Sequence, residues 1–482
     1  MPPPPLERVL NSRNRSKWED PSFWRGLCAD LSIEGRDGRG AQAPAQAPVQ
    51  APDGNRRRPL AASAEECRRR RERLVGDGYA LADDPIASEE AVRGLAGAVT
   101  ALHCDHGLPA TFVLLYDEAW DVARAASEAL EASTSPANRF NFDVLAWYVD
   151  PREGVAGFSP HRDRQPELVG QTFHPDGMAK YATQWLALTD ATPENSCLYV
   201  IPRQFDPGYE EGDDACDGDG DGDGDGSGDG DGSGDDDPLS RALCTKESYQ
   251  NIRSLPRLAG QSVLFTHRIL HWGSRGNPHS HLTTPRIAMS FVCSDPAFER
   301  PYLAASLAES IPPFRTRLLL VCAQLLIYYQ RFDLPKACVK ACYEYVKENG
   351  SALDEGYRKK VYVEFVKAMR EDAPGPDPSA ERDTKSLGGD GPNHHNDADP
   401  DDDDDDAVLK EMLEAEAEGY GEFEDDFDEI AGSDGELGNR TGHNMSDEDD
   451  LEEEDDEPGL LFGKRRDGES ANLPDSSKRH KA

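Results

Sequence analysis

Three short segments carry the residues best suited to chemistry. SPHRDRQ holds His161 and Asp163, LHWGSRGN holds His271, and TTPRIAMSFV holds Arg286. Two imidazoles and one carboxylate can grip a ferrous ion by one face and leave the other face open for oxygen chemistry. Residues two apart on a strand share a face, about 6.6 Å apart along the backbone, so His161 and Asp163 can converge on one metal. Alone, a His-x-Asp pair is as common on an ordinary surface. His271 follows an apolar run and precedes a Gly/Ser turn. His267, four residues earlier, competes for the role of second imidazole, but the small residues Gly273 and Ser274 leave room for a bound small molecule and favour His271. Arg286 opens an otherwise apolar strand. A buried arginine needs an anionic partner, and its planar fork suits a carboxylate. That partner is either a structural acid or the far carboxylate of an organic co-substrate. The position just after the second imidazole favours the co-substrate.

These residues need a scaffold of strands. FNFDVLAWYVDP (140–151) is aromatic and β-branched and stops at a proline, so it reads as a strand. ATQWLALTD, CLYVIP, QSVLFTH and RIAMSFVC read as further strands, and LPATFVLLYD (108–117) as a buried one. The pair His161/Asp163 then begins the strand after Pro151, at the mouth of a barrel. DEAWDVARAASEALEAS (117–133) has helical spacing. So does the stretch from Pro312 to Arg370, with stripes at Leu318, Val321, Cys322, Leu325 and Tyr329, at Val339, Tyr343 and Val346, and at Val361, Phe365 and Met369. Strands dominate from about Tyr79 to Cys293, with helices on either side. The expected class is a mainly β core, a sandwich or jelly roll flanked by α-helices.

The formal net charge of -41 over 482 residues is concentrated in an Asp/Gly insert and in a tail after Pro374. Neither can bury apolar surface, so both are expected to be disordered. The DGDG repeat lacks the twelfth-position glutamate of an EF-hand loop and reads as a surface-loop insertion. The domain expectation is an N-terminal segment and Ala/Pro-rich linker at 1–60, a catalytic β domain at 61–300 with the insert at 211–237, a helical extension at 301–372, and the acidic tail at 373–482. An acidic chain does not suit nucleic-acid phosphates, whereas a basic protein partner of the tail would suit it. No apolar run is long enough for a membrane helix. The start MPPPPLERVL lacks the form of a secretory signal, and two basic clusters at 464–481 resemble a bipartite nuclear import signal, so the expected location is intracellular, cytoplasmic or nuclear. The arginine clusters at 56–58 and 68–71 read as a solvated helix face. Ten cysteines without a CxxC pair, including Cys338 and Cys342 at helical spacing, read as core thiols in a reducing compartment.

From about Gly78 to Asp295, the chain resembles the phytanoyl-CoA dioxygenase family of Fe(II)/2-oxoglutarate-dependent oxygenases. The resemblance is carried by GFSPHRDRQ, WLALTDATPENSCLYVIP (185–202), LHWGSRGN and PRIAMSFVCSD, in that order. It implies a double-stranded β-helix, iron on His161, Asp163 and His271, and Arg286 on the distal carboxylate of 2-oxoglutarate. Trp185 and Ser274 lie where the family places further co-substrate contacts. It also implies consumption of O2 and 2-oxoglutarate, release of succinate and CO2, and hydroxylation of a small organic or lipid-derived substrate. Related halogenases lack the carboxylate ligand, so Asp163 favours hydroxylation. Two departures touch the site: Pro202-Arg203-Gln204-Phe205 replaces a common Pro-Gly-Ser-His, and Arg162 stands where some members have glutamine. The competing readings are a protein-residue hydroxylase recruited through the acidic tail, and a non-enzymatic acidic scaffold with a relic β domain.

Overall fold

The computed structural model describes residues 6–33, 63–153, 156–164, 169–212, 238–303 and 311–370. All of them lie in the compact unit Met1–Asn439. The linker at 41–52, the Asp/Gly run at 213–237, the tail at 373–482 and the basic clusters at 464–481 lie outside the described residues.

Among the described residues, nine strands form two antiparallel sheets. The first has five strands in the order β1 (Tyr79–Ala82), β7 (Ser262–Thr266), β4 (Tyr181–Ala187), β9 (Arg286–Ser294) and β2 (Arg139–Val149). The second has four, in the order β3 (Ala156–His161), β8 (Leu270–Arg275), β5 (Leu198–Ile201) and β6 (Arg253–Leu255). β4 is buried along its whole length, and β9 is nearly so. Both are covered on both faces, as the central strands of a sandwich are, so polar members such as Gln184 must find partners inside.

Helices flank the sheets. α1 (Arg15–Trp18) and α2 (Pro21–Leu27) form a short N-terminal cap. Asp20 caps α2 through the Ser22 N–H, and Trp18 and Trp24 are wholly buried. α3 (Ala64–Asp77) ends at Gly78, whose φ of 81° turns the chain directly into β1. Its arginines Arg68, Arg69 and Arg73 pair with glutamates and an aspartate on the same helix and stay exposed, while Arg70 is buried. α4 (Glu89–Thr100) and α5 (Asp117–Ser133) follow. The short α6 (Gly208–Glu211) and α7 (Pro238–Ala242) stand on either side of the insertion. α8 (Phe314–Ile327), α9 (Lys336–Asn349) and α10 (Glu355–Arg370) form the C-terminal layer. Cys322, Cys338 and Cys342 are buried in this layer as free thiols.

Three local expectations are corrected. Ala110–Leu115 is a 3-10 helix rather than a strand. All six of its residues are buried, and a continuous apolar run carries no period to distinguish the two. Tertiary packing decides the matter: Phe112 stacks on Trp24 at 4.9 Å, and Trp120 Nε1 donates to the Leu114 carbonyl. The pair His161/Asp163 does not begin a strand. His161 is the last residue of β3, and Asp163 follows it in the turn. Gly273 and Ser274 lie within β8 and not in a turn after it.

Candidate metal centre

Three elements converge to place the polar triad. His161 at the end of β3 is the register partner of His271 on β8. The register shifts between Phe158 and His161, which turns the end of β3 toward its neighbour. Asp163 is held in the following turn by its own N–H, which donates to the His267 carbonyl at 3.0 Å. The ligand atoms of His161, Asp163 and His271 all lie within 4.8 Å of one another. Asp163 Oδ1 is 3.8 Å from His161 Nε2 and 3.5 Å from His271 Nε2.

Hydrogen bonds orient each member. His161 Nδ1 lies 2.7 Å from the Ser159 carbonyl, and His271 Nδ1 lies 3.0 Å from the Ile269 carbonyl. A carbonyl can only accept, so both Nδ1 atoms carry the hydrogen and both Nε2 atoms present a bare lone pair to the centre. Thr183 on β4 donates to Asp163 Oδ2 at 2.6 Å, leaving Oδ1 for the imidazoles. Burial, followed by the repulsion that His271 would exert if both rings took a proton, holds the His161 pKa down to about 3, which keeps its ring neutral. Neutral imidazoles and a carboxylate, each steadied by an outer hydrogen bond, match the donor set of a divalent transition metal.

His267 does not join them. It is wholly buried, its Nε2 lies 2.8 Å from Thr172 Oγ1, and its ring packs among Phe173, Tyr181 and Phe298. Burial, then the neighbouring Arg268, pushes its pKa down to about 3.

Arg286 begins β9 and is wholly buried. Its Nε donates to the Ser196 carbonyl at 3.1 Å, and its guanidinium lies 5.7 Å from the centre of the Trp185 ring. No acidic side chain among the described residues pairs with it, and Nη1 has no hydrogen-bond partner. Burial pushes its pKa down to about 10, as expected of a cation taken from water without an anion. Two further buried polar atoms, Trp185 Nε1 and Ser274 Oγ, also lack a well-formed hydrogen bond, although Tyr199 interacts with Ser274. Ser274 shares a face of β8 with Trp272, away from His271 and Gly273, so it is the unused capacity of Arg286 and of the Trp185 ring beside it that suits this place to a polar ligand. Glycines keep that place open. A Cβ on Gly157 would stand 2.1 Å from Arg286 Nη2, and one on Gly273 would stand 3.0 Å from Ser196 Oγ.

The two sequence departures meet each other. Arg162 turns away from the triad, is buried, and pairs with Asp206 at 2.6 Å. Asp206 directly follows the altered Pro202–Phe205 segment, so this ion pair brings the two departures next to each other.

Sequence reasoning did not single out Thr183, Ser196, Gly157 or Arg331 as residues of this site. Thr183 was legible in principle, since it lies two residues before Trp185 on the same strand and therefore on the same face. Arg331 follows α8, and its guanidinium lies 4.2 Å from the centre of the Phe158 ring.

Together these features define a two-sheet antiparallel β protein with a two-histidine, one-carboxylate cluster beside a buried arginine. The model of the phytanoyl-CoA dioxygenase (PhyH) family matches residues 57–279. The match includes the triad, Trp185 and Ser274, and ends before Arg286. Similar solved structures include SnoN, a non-heme alpha ketoglutarate dependent epimerase from nogalamycin biosynthesis, at 17% identity over 48% of this chain and 84% of that one, with a TM-score of 0.31. Another is AviO1 from Streptomyces viridochromogenes Tue57, at 16% identity over 48% of this chain and 95% of that one, with a TM-score of 0.30. A third is the non-heme monooxygenase ThoJ in a nickel complex, at 14% identity over 47% and 76%, with a TM-score of 0.29. No curated protein matches the chain in sequence.

Proposed function

We propose that this protein is an Fe(II)/2-oxoglutarate-dependent dioxygenase that hydroxylates a small organic substrate and releases succinate and CO2. The two sheets would form the double-stranded β-helix of such enzymes. The observation that carries the reading is the pairing of two bare Nε2 atoms and one carboxylate oxygen with a buried guanidinium that has no acid of its own.

His161 Nε2, His271 Nε2 and Asp163 Oδ1 would hold the iron. When bound, iron supplies the redox chemistry that couples dioxygen reduction to cleavage of 2-oxoglutarate and oxidation of a substrate carbon. The rest falls to this chain's own side chains. Arg286 takes the distal carboxylate of 2-oxoglutarate with its fork and recovers the electrostatic cost of its burial. Trp185 Nε1 offers a further hydrogen bond to the same molecule, whereas Ser274, on the other face of β8 from His271, does not. Thr183 fixes the Asp163 carboxylate, so that its other oxygen points at the metal. Phe158 and Phe265, packed against His161 and His271, exclude water from that side of the centre.

The test is anaerobic addition of Fe(II) and 2-oxoglutarate to the full chain. A visible charge-transfer band is expected, and it is expected to vanish in His161→Ala. Absence of the band in the wild-type protein would overturn the reading. Succinate release in air, measured across candidate substrates, then identifies the reaction.

A further inference from the structure

A second arginine lies beside the metal centre with no anion. Arg331 follows α8 in the C-terminal layer, beyond the segment matched by the family model. Its Nη1 donates to the Gly157 carbonyl at 3.2 Å, and its guanidinium sits over the Phe158 ring at 4.2 Å. Among the described residues, no carboxylate faces it. Its side chain is partly buried, and burial pushes its pKa down to about 10. Through the Gly157 carbonyl it adjoins the place where a Gly157 Cβ would meet Arg286 Nη2, and through the Phe158 ring it adjoins the His161 ring. One bond to a carbonyl and one ring contact leave most of a guanidinium's five donors unused.

Around it stands an aromatic surface built from both sheets and from the helical layer. Trp147 on β2 meets Phe158 edge-on at 4.6 Å and stacks on Phe332 at 5.4 Å, and Tyr328 lies 6.1 Å from it. All four rings are partly exposed, unlike the aromatic residues of the core. Phe158 in turn lies 5.6 Å from the His161 ring. An unpaired cation at the edge of partly exposed rings, one ring away from a metal ligand, is a binding surface for a flat body that carries a negative charge.

We propose that Arg331, with Trp147, Phe158, Tyr328 and Phe332, is the substrate-recognition subsite of this enzyme, and that it selects a substrate joining a carboxylate to a flat unsaturated or aromatic body. The proposal rests on the oxygenase reading above and adds the class of substrate. A carboxylate suits the fork of Arg331 better than a more compact anion. Its place outside the matched segment makes substrate choice a property of the helical extension, while the metal and 2-oxoglutarate are held by the β domain.

The test uses the full chain, loaded anaerobically with Fe(II) and saturating 2-oxoglutarate, and two probes of equal shape: 2-naphthoate and its neutral isostere 2-naphthamide. Binding is followed by tryptophan fluorescence and by perturbation of the charge-transfer band. Wild-type protein is expected to bind naphthoate at least about tenfold more tightly than naphthamide, as hydrogen bonds to a charged group would give. Arg331→Gln is expected to bind both probes alike, and Arg331→Lys to retain part of the preference. Trp147→Leu is expected to weaken both probes by the same factor. The proposal is overturned if wild type does not prefer naphthoate, or if the preference survives in Arg331→Gln. It is also overturned if Arg331→Gln weakens 2-oxoglutarate itself about tenfold, because Arg331 would then belong to the co-substrate pocket. Absence of the band in wild type brings down the oxygenase reading and this proposal together. A band without naphthoate preference brings down this proposal alone.

Discussion

Two clusters of buried polar groups lie on opposite sides of Asp163, and they differ in how fully they are answered. On one side Arg164 forms two bonds to Glu299, at 2.7 and 2.8 Å, and one to the Asp163 carbonyl. Tyr181 and Tyr302 reach Asp143 Oδ2 at 3.2 Å each, and Gln324 of α8 reaches Oδ1. The charges there are closed among themselves. Arg164 outweighs the burial of Glu299 and pulls its pKa down to about 2, while burial pushes Asp143 up to about 6. On the other side Arg286 has no acid among the described residues, Trp185 Nε1 has no acceptor, two Nε2 atoms converge with a carboxylate oxygen, and Gly157 leaves room for the Arg286 fork. Burial alone therefore does not mark function here. What sets the open side apart is a buried cation with no acid among the described residues beside a convergent set of metal-type donors. The closed knot joins β2, the segment after β9 and the C-terminal helices into one unit, whereas the open one keeps its donors unshared.

The comparison can be broken most directly at the triad. Asp163→Ala or His271→Ala should reduce iron binding and succinate release to background, with His267→Ala keeping the metal. Inductively coupled plasma metal content and the charge-transfer band read this out. If metal content followed His267 instead, the open cluster would be misplaced.

Next in size is the closed knot. Arg164→Met should cost about 3–5 kcal/mol of stability, because it strands a buried carboxylate. Urea unfolding measures it. The parallel change on the open side should act oppositely. Arg286→Leu should leave stability unchanged or raise it, since no partner is stranded, yet should weaken 2-oxoglutarate by about 2–5 kcal/mol, roughly 30-fold or more. Equal destabilisation by the two variants would remove the distinction.

A smaller effect is expected from Gly157→Ala. Its Cβ would displace the Arg286 guanidinium, and 2-oxoglutarate affinity should fall about tenfold with the triad intact. Smallest at neutral pH, and growing only on the acid side, is the effect of His267. Its folded pKa of about 3 lies below the unfolded value near 6.5, so the unfolded chain binds the extra proton in between. Stability from this site is complete above pH ~6.5 and declines toward pH ~3 by about 1.4 kcal/mol per unit. His267→Gln should flatten the acid side of a stability–pH curve measured by urea midpoints.

Much of this arrangement was legible in the chain. The strands holding the site have period-2 or apolar patterns bounded by turn residues, and the triad segments occur in a recognisable order. Asp117–Ser133 is a helix over the span that its apolar spacing implies. The failures share one cause. Ala110–Leu115 and the Gly273–Ser274 pair have local signals that fit more than one backbone, and long-range packing chose between them. Phe142 is similar: its φ of 67° and the register shift beside it accompany the inward turn of Asp143, and no propensity foretells that.

Residue type and spacing by themselves determined the ligand chemistry, because only a few side chains can bind a transition metal or fork a carboxylate, and their order along the strands is local information. Tertiary structure decided which of two histidines faces the centre, which arginines have acids and which do not, and that a residue of the helical extension stands beside the metal site. Those outcomes depend on pairing between segments as far apart as Gly157 and Arg331, and contacts across such separations are set by how sheets and helices pack rather than by any neighbour in the chain.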